Sequence, residues 1–205
     1  SLLAFLSLEF KIRQGDYAGA WELVEQTAKS IHQDNFDLYA QVKLLCLKTR
    51  ILVGIGQPQR GFSLAMRAAS ISHRAKLLPA LWEALCALGA VLLGLQEFEA
   101  VSEMIESIMP QILEVEDCEL TSWAYSLLVD ANMGVAGNLW SEGQPLPVRE
   151  EYMNRALGYL DCAYDQFEEI EDIKGQCEMM AKKATMMHLS GDLVIANDYA
   201  SKYLD

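Results

Sequence analysis

The chain has 205 residues, 52% of them apolar, and a formal net charge of −13. So apolar a composition supports a continuous core, and an acidic chain without a basic stripe is a poor match for a phosphate backbone, which excludes nucleic acid as a partner. The longest apolar run, residues 84–95 interrupted by glycines, is far short of the roughly 20 residues of a membrane span, so a soluble chain with no membrane partner is expected.

Helical periodicity, taken in chain order, predicts five antiparallel pairs: 1–14/16–33, 36–54/58–74, 77–94/97–113, 118–136/148–170 and 174–189/192–204. In the third pair, Val101, Ile105, Ile108 and Ile112 form one face while Glu97, Glu99, Glu103 and Glu106 take the other. The helix before it is apolar nearly all round and must be covered on several sides. Pro79 suits its first turn, where a missing N–H costs nothing. No alternating strand pattern of useful length occurs.

The punctuation repeats. Gly15, Tyr17 and Ala20 recur as Gly56, Pro58 and Gly61, then as Gln96, Phe98 and Val101, and finally as Gly191, Leu193 and Ala196. A glycine after a helix end accepts positive φ, and a ring or branched residue two positions on fills the space between helices. The period is near 40 residues, with Ala156 supplying the missing mark, and an insertion falls at 138–149. The predicted fold class is therefore all-α: a superhelical solenoid of antiparallel, tetratricopeptide-like helix pairs forming a single domain over 1–205. Both ends lack a polar cap, so the chain is expected to be a segment of a longer one.

Residues 1–76 carry ten Lys/Arg against six Asp/Glu, residues 77–148 none against eleven, and residues 149–205 six against twelve. The five cysteines, Cys46, Cys86, Cys118, Cys162 and Cys177, are odd in number and never form Cys-x-x-Cys. They predict buried free thiols in a reducing compartment, cytosol or nucleus.

Catalytic chemistry finds no foothold. His32, His73 and His188 are far apart, and a polar helix end explains the spacing of His188 and Asp192 better than a metal does. In the acidic group Glu168, Glu169, Glu171 and Asp172, the last is expected to cap the following helix and the others to be solvated. Met179, Met180, Met186 and Met187 read as core filler, with a peptide-gripping surface as the alternative. No nucleophile elbow, phosphate loop or dinucleotide fingerprint occurs, so no catalytic, cofactor-binding or metal residue is assigned. Neither the pattern nor the basic residues of a carboxylate clamp are present.

Two stretches are more specific. Gly175-Gln176-Cys177-Glu178-Met179-Met180-Ala181-Lys182-Lys183-Ala184 is followed by Met187-His188-Leu189-Ser190-Gly191-Asp192 and Ala196-Asn197-Asp198-Tyr199-Ala200. With Leu128-Val129-Asp130-Ala131-Asn132-Met133-Gly134 and the run from Ala156 to Ala163, this resembles the C-terminal tetratricopeptide-like region of the subunit-five family of the anaphase-promoting complex. The likeness covers 117–205 and is looser before. The resemblance implies a non-catalytic platform subunit of a ubiquitin ligase in nucleus and cytoplasm. Its implied partners are the largest subunit, subunit four and the tetratricopeptide subunits. The alternative is a peptide-recognition or regulatory module of another assembly.

The insertion carries Leu139, Trp140, Pro145, Leu146 and Pro147, and its glycine and prolines predict a loop. Side chains this apolar must find a surface: either Trp140 folds back on its own helix pair or the loop anchors a neighbouring subunit. The charge pattern generates one prediction. Residues 77–205 carry −17, so raising salt is expected to slow association with a partner docking there, measured as a stopped-flow on-rate.

Overall fold

The computed structural model describes residues 2–31 and 37–190. Among these residues there are nine helices and no strand: α1 (Leu2–Gln14), α2 (Tyr17–Ile31), α3 (Leu38–Gly54), α4 (Pro58–Ala75), α5 (Leu78–Gly94), α6 (Phe98–Leu113), α7 (Cys118–Ser141), α8 (Leu146–Glu169) and α9 (Ile173–Ser190). The all-α class follows the periodicity, and the helix bounds fall close to the expected ones up to α6. The expected last helix, 192–204, lies outside the described residues, as do His32, Gly191 and Asp192. No described helix is long and apolar enough to cross a membrane.

Helix starts use two devices. Asp16, Asp37, Asp117 and Asp172 each accept a hydrogen bond from a backbone N–H in the following helix, from Gly19, Tyr39, Leu120 and Gly175 respectively. Helices α4, α5 and α8 instead have proline in their first two positions, where the backbone nitrogen has no intrahelical acceptor to lose. Helix ends share a single device. Gly15, Gly56, Lys76, Gln96, Glu116, Gly143 and Glu171 all have φ between 54° and 77°. At most of these turns two N–H groups return to the last helical carbonyls, as when Gly56 N donates to Val53 O and Gln57 N to Leu52 O. Four of the seven are not glycine, which is why glycine spacing exposed only part of the pattern. The marks at 56, 76, 96 and 116 fall at 20-residue intervals, half the repeat, so each helix with its turn occupies the same length of chain.

The chain forms two compact units, Ser1–Glu97 and Phe98–Asp205. In the first, Leu8, Ile12, Ala20 and Val24 of α1 and α2 pack on Leu44, Leu47 and Ile51 of α3. In the second, Val129 of α7, Ala156, Leu160 and Ala163 of α8, and Met179 and Met186 of α9 form the core. Of the four methionines expected as core filler, Met179 and Met186 are core, whereas Met180 and Met187 are half-buried. The cysteines depart from expectation: Cys46 and Cys86 are buried, but Cys118 and Cys177 are half-buried and Cys162 is exposed. The buried stripe of α8 runs through Ala156, Leu160 and Ala163, and Cys162 falls on the opposite side of it.

One contact recurs in both units. The first residue of α2, α4 and α6 (Tyr17, Pro58 and Phe98) presses on a glycine of the next odd-numbered helix, Gly54, Gly94 and Gly134 respectively. At Gly54 and Gly134 an added Cβ would overlap the aromatic ring, and at Gly94 it would come within 2.9 Å of Pro58. These glycines are themselves 40 residues apart, so the repeat is a repeat of this contact. The expected consequence is local and separable. Gly134→Ala should destabilise the second unit by about 1–3 kcal/mol through overpacking. Gly137→Ala, where an added Cβ meets nothing within 4 Å, should stabilise it by about 0.5–1 kcal/mol by removing backbone entropy. Paired thermal melts check both signs.

Candidate protein-interaction site

The expected insertion is not a loop. Asn138, Leu139, Trp140 and Ser141 extend α7, and α8 already begins at Leu146, so only 142–145 form the turn. Pro145 is the residue before the helix and Pro147 sits in its first turn, positions that spare proline any lost bond. Gly143, with φ 73°, closes α7 in the same way Gly15 closes α1. The extra residues thus lengthen α7 and α8 to 24 each, against 13 to 18 for the other described helices.

That extension forms an apolar tip. Trp140 is 55% exposed, Leu146 47% and Val148 41%, with Pro145 and Pro147 exposed and Leu139 half-buried. The guanidinium of Arg149 lies 5.8 Å from the centre of the Trp140 ring. Below it, Met133, Trp140, Leu146, Arg149, Met153 and Met186 line an open groove with a cavity volume of about 60 Å³. The sequence marked Leu139, Trp140, Pro145, Leu146 and Pro147. It missed Met133, Arg149, Met153 and Met186, which come from three helices and have no shared local signal.

Elsewhere several charged and polar groups are paired with one another. Lys43 on α3 bridges Glu9 of α1 at 2.6 Å and Glu83 of α5 at 3.0 Å. Burial alone would lower the Lys43 ammonium, but Glu83 and Glu9 outweigh it and hold the value well above the usual lysine range. Burial pushes the Glu83 carboxyl up, against the pull of Lys43 and Arg50. The Cys46 and Cys86 thiols are also driven far up by burial, with Glu83 adding to the effect, so both are poor nucleophiles. In the second unit, Glu106 accepts from Arg155, from Tyr159 at 2.9 Å and from Ser102 at 3.0 Å. Ser102 in turn accepts from the fully buried Asn132 at 3.3 Å. Lys182 pairs with Asp130 and Lys183 with Asp161, each at 2.6 Å.

These contacts give structural work to the residues behind the family resemblance. Leu128, Val129 and Ala131 are core, Asp130 and Asn132 serve the polar bridges, and Gly134 receives Phe98. Gly175 receives Phe167, and Met179 is core. His73 and His188 are exposed, and no group of three or more His, Cys, Asp or Glu among the described residues is arranged to hold a metal.

No family model and no curated protein matches the chain. Solved structures do. A single-substitution form of a Podosopora anserina protein, described as kinesin light chain-like with nearly identical TPR-like repeats, superposes with a TM-score of 0.58 at 12% identity, over 98% of this chain and 91% of that one. A second crystal structure of that protein gives 0.56 at the same identity and coverage. The chain therefore has the fold of tetratricopeptide-like repeat proteins.

The Lys43 bridge supports a prediction with a defined sign. Lys43→Met leaves Glu83 buried without its cation and should cost about 3–5 kcal/mol at neutral pH. Glu83 would then hold its proton more tightly in the folded than in the unfolded chain. The deficit relative to the parent should therefore shrink as pH falls from 7 through the raised folded value, and flatten below the ordinary value of about 4.3. Denaturant melts of both proteins across that range would show it. A deficit independent of pH would assign the loss to packing instead.

Proposed function

We propose that this chain is a non-catalytic scaffold subunit of the anaphase-promoting complex, serving in its platform in nucleus and cytoplasm and supporting cell-cycle-regulated ubiquitination through assembly alone. The reading draws its protein-binding character from the tetratricopeptide-like fold and its choice of assembly from the resemblance over 117–205. The observation that carries it is the α7–α8 tip. Many charged side chains along the helices are already paired with one another, whereas the tip leaves a tryptophan, a leucine and a valine in water. Burying such side chains is worth roughly 1.5–3 kcal/mol each, and tryptophan is a favoured anchor at interfaces.

Affinity purification of the tagged chain, followed by mass spectrometry, should recover the largest subunit and subunit four of that complex. Trp140→Ala should leave the melting temperature within about 1 °C, since an exposed substitution costs little, and should reduce recovery several-fold. Recovery of a different assembly would favour a peptide-recognition or regulatory module instead. A variant that melts and assembles like the parent would remove the tip from the interface.

A further inference from the structure

The groove at the tip has a charge pattern that specifies what fits it. Arg149 is the first cation in the sequence after Lys76. Its Nε is buried and has no hydrogen-bond partner. Among the described residues the guanidinium forms no ion pair, although Glu142, Glu150 and Glu151 are close in sequence. It lies against the Trp140 ring instead, over a floor of three methionines. An arginine held against an aromatic face keeps its donor fork free for a carboxylate. Methionines adapt to the shape of whatever apolar group enters. Around this cation Glu142 and Glu150 are exposed, and residues 98–205 of its own unit carry −15. The rim and the long-range field thus favour a basic partner, while the groove wall asks for one acid.

We propose that the groove receives a basic amphipathic helix from a protein partner. A large apolar residue sits between Met133, Met153 and Met186, and a single carboxylate one turn away pairs with Arg149. Lysines or arginines of the same helix lie over Glu142, Glu150 and Glu151. Docking an apolar helix face into such a groove is an established mode of peptide recognition. The proposal rests on the scaffold reading for taking a protein as the occupant, and it adds the chemistry that the occupant must present.

The test uses the whole chain and two helical peptides of roughly 16 residues, long enough to populate a helix. Both are built from alanine and lysine with a leucine stripe, and they differ only in a Glu or a Gln one turn from the central leucine. By calorimetric titration the Glu peptide should bind about tenfold tighter than the Gln peptide, as expected for one charge-assisted contact. The difference should vanish in Arg149→Met, and both peptides should lose binding in Trp140→Ala. Arg149→Lys keeps the charge and guards against a fold defect; it should retain part of the preference.

Equal affinity of the two peptides for the parent chain would overturn the carboxylate contact. Binding that survives Trp140→Ala would show general attraction to an acidic surface and overturn the groove. The two readings fail separately. Discriminating peptides with no recovery of ubiquitin-ligase subunits would discard the assembly and keep the groove. Recovery without discrimination would do the reverse.

Discussion

Each unit is spaced by the seating of one helix's first residue against a glycine of a later helix. Tyr17 against Gly54, Pro58 against Gly94 and Phe98 against Gly134 bring backbone and side chain closer than any larger residue at the glycine would allow. That approach sets the distance between neighbouring pairs within a unit, and the apolar stripes then meet at packing density. Glycine in a helix interior costs roughly 0.5–1 kcal/mol relative to alanine. Only Gly134, inside α7, carries that cost, because Gly54 and Gly94 are the last residues of α3 and α5; the contact geometry recurs at all three with the same interval.

Electrostatics follow the same spacing. Lys43 and Glu83 are 40 residues apart, as are Cys46 and Cys86, so α3 and α5 bring equivalent positions side by side. At one such row the half-buried Lys43 faces a carboxylate on either side; at another, two thiols are sealed from water. A buried ion pair adds little net stability, but breaking it is costly, so the bridge is better understood as fixing which helices may be neighbours. At the α7–α8 tip, by contrast, Arg149 Nε is buried without a hydrogen-bond partner, and Trp140, Leu146 and Val148 are exposed.

The legible part of this structure was whatever has a local cause. Amphipathic spacing marked out the helices, and ring residues shortly after a turn marked Tyr17, Pro58 and Phe98. Their glycine partners were not legible, because a lone glycine inside a helical pattern reads as a tolerated defect until its contact 36 or 37 residues away is known. The left-handed turns at Lys76, Glu116 and Glu171 were hidden because residues other than glycine occupy them. The tip was misread for a different reason. Two prolines and a glycine within a few residues signal a loop, yet here they sit before, just inside and just after helices, where each is compatible with the helix. Arg149 and the methionines of the groove converge only in three dimensions.

The direction of the seating contact bears on synthesis. Each knob is made before its socket: Tyr17 leaves the ribosome 37 residues ahead of Gly54, and Pro58 and Phe98 each 36 ahead of theirs. At about 5–20 residues per second, an aromatic or proline side chain waits roughly 2–7 s for the helix that will cover it. Until its partner helix is made, each of these three knobs is uncovered on the growing side of the chain. A stall just before Gly54 or Gly134 would leave an exposed ring at a defined place on the nascent chain, a surface that chaperones could engage.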